Sequence, residues 1–418
     1  MTCAMLITVG VGPTVADGIR FSISKNRPHF VLFLVTKESK TKTLGDVVND
    51  LLAEDTYACF EIRDENDVEQ CALDFAAAIE DLQKRGFALK DMVADFTSGT
   101  KAMSAGLVFA GVASEVGSLS YVHGQREEGR VVSGSERLTV LEPKKLAVRR
   151  EIAQVVEQFN ALRFDTCLEV TNQVRLQLQL KQVQICVDVI QILAKSYRAW
   201  DRFDFSNAAK LLGEVSGSAL LGEWKIKGRI AKHNGYLRRM VDEPYCAERA
   251  VELWNSAQRR AGEEKFDDAM ARLYRLIEYV AQLRLHRDHG GIETGDLDMM
   301  KLPEALRAKY EKEERFAGKI EVGLKKSYRL LAQLGDSVGT WFDTRFETDL
   351  KKVLGMRNQS ILAHGFAPVS KESYRHANDC VHNLMGVAFP KWEETAKVLA
   401  FPELDATCVV NSLGFTAK

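Results

Sequence analysis

Long apolar runs, a secretory signal and an excess of charge of either sign are all missing from this 418-residue sequence. No apolar stretch approaches the roughly 18 residues of a membrane-spanning helix, so we expect no membrane association. The apolar stretch at 4–9 has no basic region before it and predicts a strand. The formal net charge is only -1, which argues against a protein that coats nucleic acid by bulk charge. Any contact with RNA should therefore be local.

The cysteines also lack a pattern. The eight of them are scattered, and no pair has the C-x-x-C spacing of a zinc ribbon or a thioredoxin-type site. Cysteines without a disulfide framework suit a reducing compartment, so we expect a cytoplasmic protein. With 46% apolar and 28% charged residues the chain has the composition of a globular protein, and its length predicts two or three domains.

Residues 1–145 alternate short β-rich runs with amphipathic stretches. The runs predict buried strands at 5–9, 30–35, 57–62, 92–96 and 119–122. The clearest helices are predicted at 68–85 and 102–116. This alternation predicts an α/β domain with a Rossmann-like parallel sheet, to which 130–141 adds a closing hairpin or strand.

From residue 146 onward the pattern is all-α. We expect a helical linker or transmitter region at 146–250 and a separate helical bundle at 251–418. An apolar face at steps of three and four residues supports the bundle; it comprises Phe266, Met270, Leu273, Ile277 and Val280. Three similar segments, which begin at Phe164, Phe205 and Phe266, are each predicted to open a helix and are interpreted as helix-pair packing.

Two polar turns follow the first and fourth predicted strands. The first turn supplies Gly10, Gly12, Pro13 and Thr14, and the second supplies Thr97, Ser98, Gly99, Thr100 and Lys101. Both lie at carboxyl ends of strands, the edge at which open α/β sheets bind ligands. Glycine admits a ligand close to the backbone, and the start of a helix attracts phosphate. His123 and Gly124, after the fifth strand, are expected to form a third side of this pocket.

Neither turn matches a standard nucleotide motif. Val15 stands where the dinucleotide fingerprint needs its third glycine, so a conventional NAD site is not expected. The second turn lacks the spacing of a Walker A loop. Ordinary strand-to-helix turns with Ser and Thr caps stay open as the alternative.

The two turns, together with the sequence Asp-Phe-Thr-Ser-Gly-Thr-Lys-Ala-Met at 95–103, resemble the CARF domain of type III CRISPR ancillary proteins. The resemblance covers about residues 1–145, and Thr-Ser-Gly-Thr-Lys is its more specific part. It implies a cyclic oligoadenylate activator, with tetra- and hexa-adenylate both possible, bound across a dimer of Rossmann-like sheets. Some CARF domains also cleave their ligand; Thr14, Ser98 and Lys101 would be the candidates for that activity.

Near the C-terminus, Arg357 and Asn358 precede His364 in a helical pattern. A seven-residue step is nearly two turns, so we predict that Arg357 and His364 share one helix face, about 10 Å apart along the axis. They continue an apolar stripe, where a polar residue needs a partner or a cleft. The stripe comprises Leu350, Val353, Leu354 and Ile361. The alternative is a histidine at a glycine cap and an arginine in an internal ion pair.

The string Arg-Asn-x-Ser-x-Leu-x-His-Gly resembles the signature of HEPN ribonucleases, and the resemblance covers about residues 250–400. It implies a homodimeric endoribonuclease that acts on single-stranded RNA and requires no cofactor. Each subunit would contribute Arg357 to hold the phosphate, Asn358 to orient it and His364 to exchange a proton. Histidine suits that role because its ordinary pKa is about 6.5. Products with 2′,3′-cyclic phosphate and 5′-OH ends are expected.

Three further interpretations complete the sequence analysis. His286, Asp288 and His289 have no usual zinc spacing, so we favour a solvated loop over a metal site. Arg275 and Glu278 are expected to form an intrahelical pair. A regulatory module, whose helical half only dimerises or recruits a partner, stays open as the alternative to a ribonuclease.

Overall fold

The computed structural model describes residues 3–127, 130–132, 134–177, 180–311, 320–345, 348 and 350–415. The chain forms two compact units, one built mainly from Met1–Gln154 and one from Val155–Gly414. The boundary between the two units therefore lies inside a helix, a little beyond the predicted boundary at residue 145.

The first unit contains a twisted sheet with helices on both faces. Its strands, within the described residues, are β1 (Ala4–Thr8), β2 (Phe30–Val35), β3 (Tyr57–Glu61), β4 (Met92–Asp95), β5 (Ser118–His123), β6 (Arg126–Glu127), β7 (Arg130–Val131) and β8 (Arg137–Leu141). Their order in the main sheet is β3-β2-β1-β4-β5-β8. The first five strands of the chain pair in parallel, and β8 closes the edge antiparallel to β5.

The helices of this unit cover the sheet because its central strands are apolar on both sides. They are α1 (Val15–Asn26), α2 (Lys37–Lys42), α3 (Leu44–Val48), α4 (Val68–Lys84) and α5 (Lys101–Ala113), and α6 (Pro143–Asn160) follows. One core cluster packs Leu6, Leu32 and Ala94 against α4 and α5. The opposite cluster packs Ile7 and Phe33 against α1 and α3. The predicted Rossmann-like sheet and its closing strand are confirmed.

The second unit is helical throughout its described residues. Its helices are α7 (Phe164–Gln177), α8 (Lys181–Asp201), α9 (Phe205–Val215), α10 (Leu220–Glu223), α11 (Lys227–Asp242), α12 (Ala247–Gly262), α13 (Phe266–Asp288), α14 (Glu304–Tyr310), α15 (Leu324–Gln333), α16 (Ser337–Arg345), α17 (Lys351–Gln359), α18 (Lys371–Ala388), α19 (Trp392–Leu399) and α20 (Ala406–Asn411). None of the helices in the described ranges is long and apolar enough to cross a bilayer.

The three repeated segments do open helices, namely α7, α9 and α13. Each is preceded by the same turn, whose middle residue is left-handed: Leu162 (φ 61°), Phe203 (φ 63°) and Glu264 (φ 59°). In each turn this residue's N–H donates to the carbonyl three residues earlier, and the next N–H donates to the carbonyl five residues before it. This is the Schellman pattern, which usually places glycine at the left-handed position. The repeat is therefore a recurring helix-turn-helix corner.

The long helix α13 supports the bundle prediction and corrects one boundary. Met270, Leu273, Ile277 and Val280 are fully buried, as the apolar spacing predicts. The loop predicted to begin at His286 begins later, because α13 continues to Asp288. The ion pair from Arg284 to Asp288, one turn apart at 2.9 Å, stabilises this last turn.

Candidate ligand pocket and candidate active site

The N-terminal cavity lies at the switch point of the sheet. From β1 the chain proceeds outward through β2 to β3, and it then returns to the other side of β1 as β4. The turns at 10–14 and 97–101 leave adjacent strands at this point, which is where open α/β sheets bind ligands. A cavity of about 540 Å³ opens there. Its volume is ample for a small-molecule ligand.

Ser98 holds the two turns against each other. Its Oγ donates to the Thr8 carbonyl and accepts the Gly10 N–H at 3.2 Å, while the Thr8 hydroxyl donates to the Ser98 carbonyl. The turns approach so closely that a Cβ on Gly10 would lie 2.7 Å from the Gly99 nitrogen. Only glycine therefore fits at position 10.

The two threonines of the second turn are also bound within the protein. Thr97 Oγ1 accepts the Val122 N–H at 2.9 Å, and Thr100 Oγ1 caps α5 by accepting the Met103 N–H at 3.1 Å. The Thr100 hydroxyl donates to the Glu65 carbonyl. These hydroxyl groups thus stabilise the turns that form the cavity wall, as the alternative hypothesis of capped strand-to-helix turns predicts. The proton of Thr97 Oγ1 stays available for a ligand.

The predicted pocket residues divide into two groups. The lining of the cavity includes Gly10, Thr14, Thr97, Ser98, Gly99 and Thr100. The residues that lie outside that lining are Gly12, Pro13, Lys101, His123 and Gly124. Lys101 is exposed at the first position of α5. His123 is exposed too, and its Nε2 lies 3.0 Å from Thr139 Oγ1 on the neighbouring strand β8.

Sequence reasoning missed the acidic part of this lining. Asp17, Glu38, Glu65 and Glu136 all border the cavity. Glu38 is already paired with Lys42, with a 2.7 Å contact. Carboxylates accept hydrogen bonds from amino and hydroxyl groups, so this wall suits the neutral donors of a ligand rather than its phosphates. Asp17, in the first turn of the helix after the glycine turn, was the available sequence signal.

Beneath the cavity lies a buried carboxylate, Asp95, at the end of β4. Its Oδ2 accepts the hydroxyls of Ser22 at 2.6 Å and Ser120, and its Oδ1 accepts the Thr97 N–H at 3.0 Å. A buried carboxylate is tolerated when its oxygens are saturated in this way. Asp95 thereby fixes the start of the second turn to α1 and β5.

In the second unit, the predicted two-turn helix through Arg357 and His364 is wrong. Helix α17 ends at Gln359, and the chain turns back on it. Ser360 Oγ donates to the Arg357 carbonyl at 2.8 Å, and the Gly365 N–H donates to the Ser360 carbonyl at 3.2 Å. A Cβ on Gly365 would collide with the Gln359 carbonyl, so this turn requires glycine. His364 therefore lies in a turn beyond the helix end.

The turn nevertheless keeps the three predicted catalytic residues together. Arg357 Nη1 donates to Asn358 Oδ1 at 3.1 Å, and the His364 N–H donates to the Asn358 carbonyl at 3.2 Å. Arg357 is half-buried, with its guanidinium over the ring of Tyr274. Asn358 and His364 are exposed. The guanidinium of Arg357 and the amide of Asn358 thus meet at one accessible end of α17, and the backbone of His364 is bound to the same turn.

Apolar side chains surround that end. Of the predicted stripe, Leu350 and Val353 are buried, but Ile361 is 63% exposed because the helix stops before it. Leu362 and Phe366 are 52% and 91% exposed. Large apolar side chains that are clustered and exposed usually mark an interaction surface.

His286 and Asp288 lie in the last turn of α13 and not in the predicted loop, and the polar groups there contact other side chains. His289 Nε2 lies 2.9 Å from Asp336, Asp288 pairs with Arg284 and Arg287, and His286 stacks on Tyr245. Within the described residues, no cluster of His, Cys, Asp and Glu could hold a metal ion. Arg275 and Glu278 form the expected intrahelical pair, with 3.6 Å between their charged atoms.

Two family models match the helical part of the chain. The model of the Csm6 6H domain matches residues 148–232, and the model of the Csm6 HEPN domain matches residues 242–388. Both describe Csm6, and together they cover more than half of the chain. The chain belongs to the Csm6 family. Its C-terminal bundle is a HEPN domain, and the protein is a CARF–HEPN type ancillary endoribonuclease of CRISPR defence.

The solved structures agree on the fold. Enterococcus italicus Csm6, bound to cyclic hexa-2′-fluoro-hexa-dAMP, has a TM-score of 0.59 to this chain at 11% sequence identity. The match covers 99% of this chain and 100% of that one. Among curated proteins, no sequence matches the chain. The fold class predicted from the sequence, an α/β domain followed by helical domains that end in a HEPN bundle, is confirmed for this member of the Csm6 family.

Proposed function

We propose that this Csm6-family chain cleaves single-stranded RNA without a metal ion at Arg357, Asn358 and His364, and that a cyclic oligoadenylate in the N-terminal cavity activates it. The observation that carries the proposal is the arrangement at the end of α17, where Asn358 contacts both Arg357 and the backbone of His364. In metal-free RNA cleavage an imidazole can supply the proton for the leaving 5′-oxygen, and a guanidinium can stabilise the charge on the phosphoryl oxygens.

The reaction follows from these groups. The ribose 2′-oxygen forms a bond to the adjacent phosphorus as its proton passes to water, and the bond from phosphorus to the 5′-oxygen breaks. Arg357 stabilises the charge on the phosphoryl oxygens, and Asn358 orients the phosphate through its amide. His364 donates a proton to the departing 5′-oxygen. The products carry 2′,3′-cyclic phosphate and 5′-OH ends.

The exposed apolar surface formed by Ile361, Leu362 and Phe366 supports a homodimer. It borders the catalytic residues, so pairing two copies through it brings two Arg357–Asn358–His364 sets to one interface. An isologous interface of this kind repeats the same patch on both subunits. We therefore propose that the active site is composite and that its geometry depends on the dimer arrangement.

In this proposal the ligand that binds the N-terminal cavity controls the ribonuclease activity. The Enterococcus italicus relative holds a six-membered cyclic oligoadenylate analogue, which makes hexa-adenylate the first ring to test and tetra-adenylate the second. A ring that binds one dimer arrangement better than the other shifts the population toward it. In our proposal the functional domains are 1–145, 146–250 and 251–418, and the region 146–250 transmits the change from the sensor to the ribonuclease domain. The protein acts in the cytoplasm.

The two alternatives are less well supported. A purely regulatory helical half leaves the arrangement of Arg357, Asn358 and His364 without a purpose. Cleavage of the ligand in the cavity would need a free nucleophile, whereas Ser98 is buried and its hydroxyl is already bonded to Thr8 and Gly10. Thr14 and Lys101 are exposed and stay as candidates for that activity.

Product chemistry tests the proposed reaction. RNA cut in the presence of EDTA should carry 2′,3′-cyclic phosphate ends, and both Arg357→Ala and His364→Ala should lose cleavage. The matched control is His382→Ala, because His382 is an exposed histidine of the same domain that pairs with Glu393. Cleavage that requires Mg²⁺ and leaves 3′-OH ends would overturn the proposed reaction.

A further inference from the structure

A second cavity, which we call the arginine pocket, lies in the helical unit. Its volume is about 430 Å³. Three aromatic residues and three arginines dominate its lining: Phe203, Phe205, Tyr279, Arg249, Arg272 and Arg275. None of these residues belongs to the proposed catalytic set, so the pocket needs an explanation of its own.

The rings and cations of the pocket are arranged in pairs. The rings of Phe203 and Phe205 meet edge to face at 5.6 Å. The guanidinium carbon of Arg249 lies 5.5 Å from the centre of Phe205, and that of Arg275 lies 5.7 Å from the centre of Tyr279. Flat rings flanked by guanidinium groups are the elements with which proteins bind single-stranded nucleic acid.

The backbone conformation of Phe203 is a further unusual feature of the pocket. It occupies the left-handed position of a Schellman turn, with φ at 63°, where glycine would be the less strained residue. Corners of the same type before α7, α11 and α13 place Leu162, Lys225 and Glu264 there. A partly exposed phenylalanine at a strained position that borders a cavity is better explained by what its ring contacts than by the turn.

The pocket retains positive charge. The guanidinium of Arg249 donates to the neutral carbonyl of Met240. Arg275 is 46% exposed; its guanidinium donates to the neutral Gln282 Oε1 at 2.9 Å and lies 3.6 Å from the Glu278 carboxylate. Arg272, by contrast, is paired closely with Asp268. An anionic group that enters the pocket would therefore meet two guanidinium groups without a tight carboxylate partner.

Helix α13 connects the pocket to the active site. At about 100° per residue, Ala271, Arg272, Arg275 and Tyr279 fall on one face of the helix. Tyr274, which carries Arg357, falls on the adjacent face. A strand held at both places would span roughly the 10 Å width of one helix.

We infer that the arginine pocket binds a nucleotide of the single-stranded RNA substrate close to the one that is cleaved. The base packs against Phe203, whose ring is partly exposed and is backed by the buried ring of Phe205, and its phosphate contacts Arg249 and Arg275. This inference rests on the proposed ribonuclease function and adds a site that positions the substrate. It requires no change in the chemistry at His364.

The test combines binding with kinetics. The variants Phe203→Ala and Arg275→Gln are compared with Arg202→Gln, a control that changes an exposed arginine outside the pocket lining, paired with Asp165. Binding of a fluorescent oligouridylate is measured by anisotropy in the His364→Ala background. We expect about tenfold weaker binding for each pocket variant, since stacking and phosphate contacts each contribute on that scale. The control should bind normally.

Two further measurements distinguish a substrate-binding role of the pocket from a structural one. With His364 intact, the pocket variants should raise KM and leave kcat and the melting temperature near wild type. An abasic nucleotide placed at successive positions of the RNA should weaken wild-type binding at one position and have no effect there in Phe203→Ala. Wild-type KM in both variants, while the wild type cleaves RNA, overturns the inference and leaves the proposed function standing. A shift in oligomeric state instead of KM would assign the pocket to a subunit contact.

Discussion

The guanidinium of Arg357 stacks on the ring of Tyr274, with its central carbon 4.3 Å from the ring centre. Tyr274 belongs to α13 and Arg357 to the last turn of α17, so the contact holds the cation that we propose to be catalytic against a helix remote in sequence. Burial, followed by the nearby Glu278 carboxylate, raises the pKa of Tyr274, which keeps its hydroxyl protonated. Tyr274 thus acts as a positioning residue for Arg357.

Removal of this ring should slow catalysis more than it weakens the fold. An arginine stacked on an aromatic ring gains about 0.5–2 kcal/mol, so Tyr274→Ala should lower kcat roughly two- to thirtyfold. Tyr274→Phe keeps the ring face and should retain most of the rate. The measurement is kcat at saturating RNA for the three proteins, with melting temperature as a check. Equal loss in the Phe and Ala variants would show that the hydroxyl, not the stacking, matters.

Gly10 offers a sharp test of the N-terminal cavity. In Gly10→Ala the new Cβ would approach the Gly99 nitrogen to 2.7 Å, so the two turns must separate and the cavity must change shape. Calorimetric titration should show at least tenfold weaker binding of the cyclic oligoadenylate, on the order of 1.4 kcal/mol. Gly45→Ala is the control, because nothing lies within 4 Å of its Cβ position. Unchanged binding in Gly10→Ala would remove the cavity from the proposal.

The sheet was predictable because its strands are buried on both faces and read as unbroken apolar runs, such as Phe30–Val35. The position of the two pocket turns at one edge of the sheet was predictable from the order of strands and helices along the chain. The end of α17 was not predictable, because the periodicity of Leu350, Val353 and Leu354 continues past Gln359, and the Ser360 and Gly365 hydrogen bonds that stop the helix are set by local geometry. The acidic lining of the first cavity and the arginine pocket bring together residues from separate segments, which no local pattern reveals.

His233 should make the stability of the protein sensitive to acid. Its Nδ1 lies 2.8 Å from the Tyr197 hydroxyl and its Nε2 lies 2.7 Å from the Val398 carbonyl, in a fully buried position. Burial lowers the pKa of His233 from 6.5 to about 4. The unfolded chain therefore binds the proton more readily between these values, and stability should be lost as the pH falls from about 6.5 toward about 4.

The lowered pKa of His233 limits the loss in the free energy of unfolding to roughly 3 kcal/mol. Scanning calorimetry across that pH range should show a steeper fall in melting temperature for the wild type than for His233→Gln. The variant should be less stable near neutral pH because it loses the fit of the imidazole, but its pH slope should be smaller. Parallel slopes in the two proteins would mean that His233 does not resist protonation in the folded state.

Glu264 should be replaceable by glycine with a gain in stability. It is exposed and left-handed, with φ at 59°, in the Schellman turn that precedes α13. Glycine adopts this conformation without steric cost, so Glu264→Gly should raise the free energy of unfolding by about 0.5–1 kcal/mol. Glu263→Gly is the contrasting variant: Glu263 has φ at -86° and pairs with Arg260 and Lys265, so it should lose stability. Thermal or urea unfolding distinguishes the two, and destabilisation by both would contradict the strain argument.

Activation of RNA cleavage by the cyclic ligand tests the central claim most directly. A fluorescent single-stranded RNA is incubated with the wild type and with His364→Ala in EDTA, with no ligand, with cyclic tetra-adenylate and with cyclic hexa-adenylate. The account predicts rapid cleavage by the wild type with one ring size, little without it, and none by His364→Ala under any condition. If neither ring stimulates the wild type, or if His364→Ala cleaves as the wild type does, the coupling of an N-terminal sensor to this active site is contradicted.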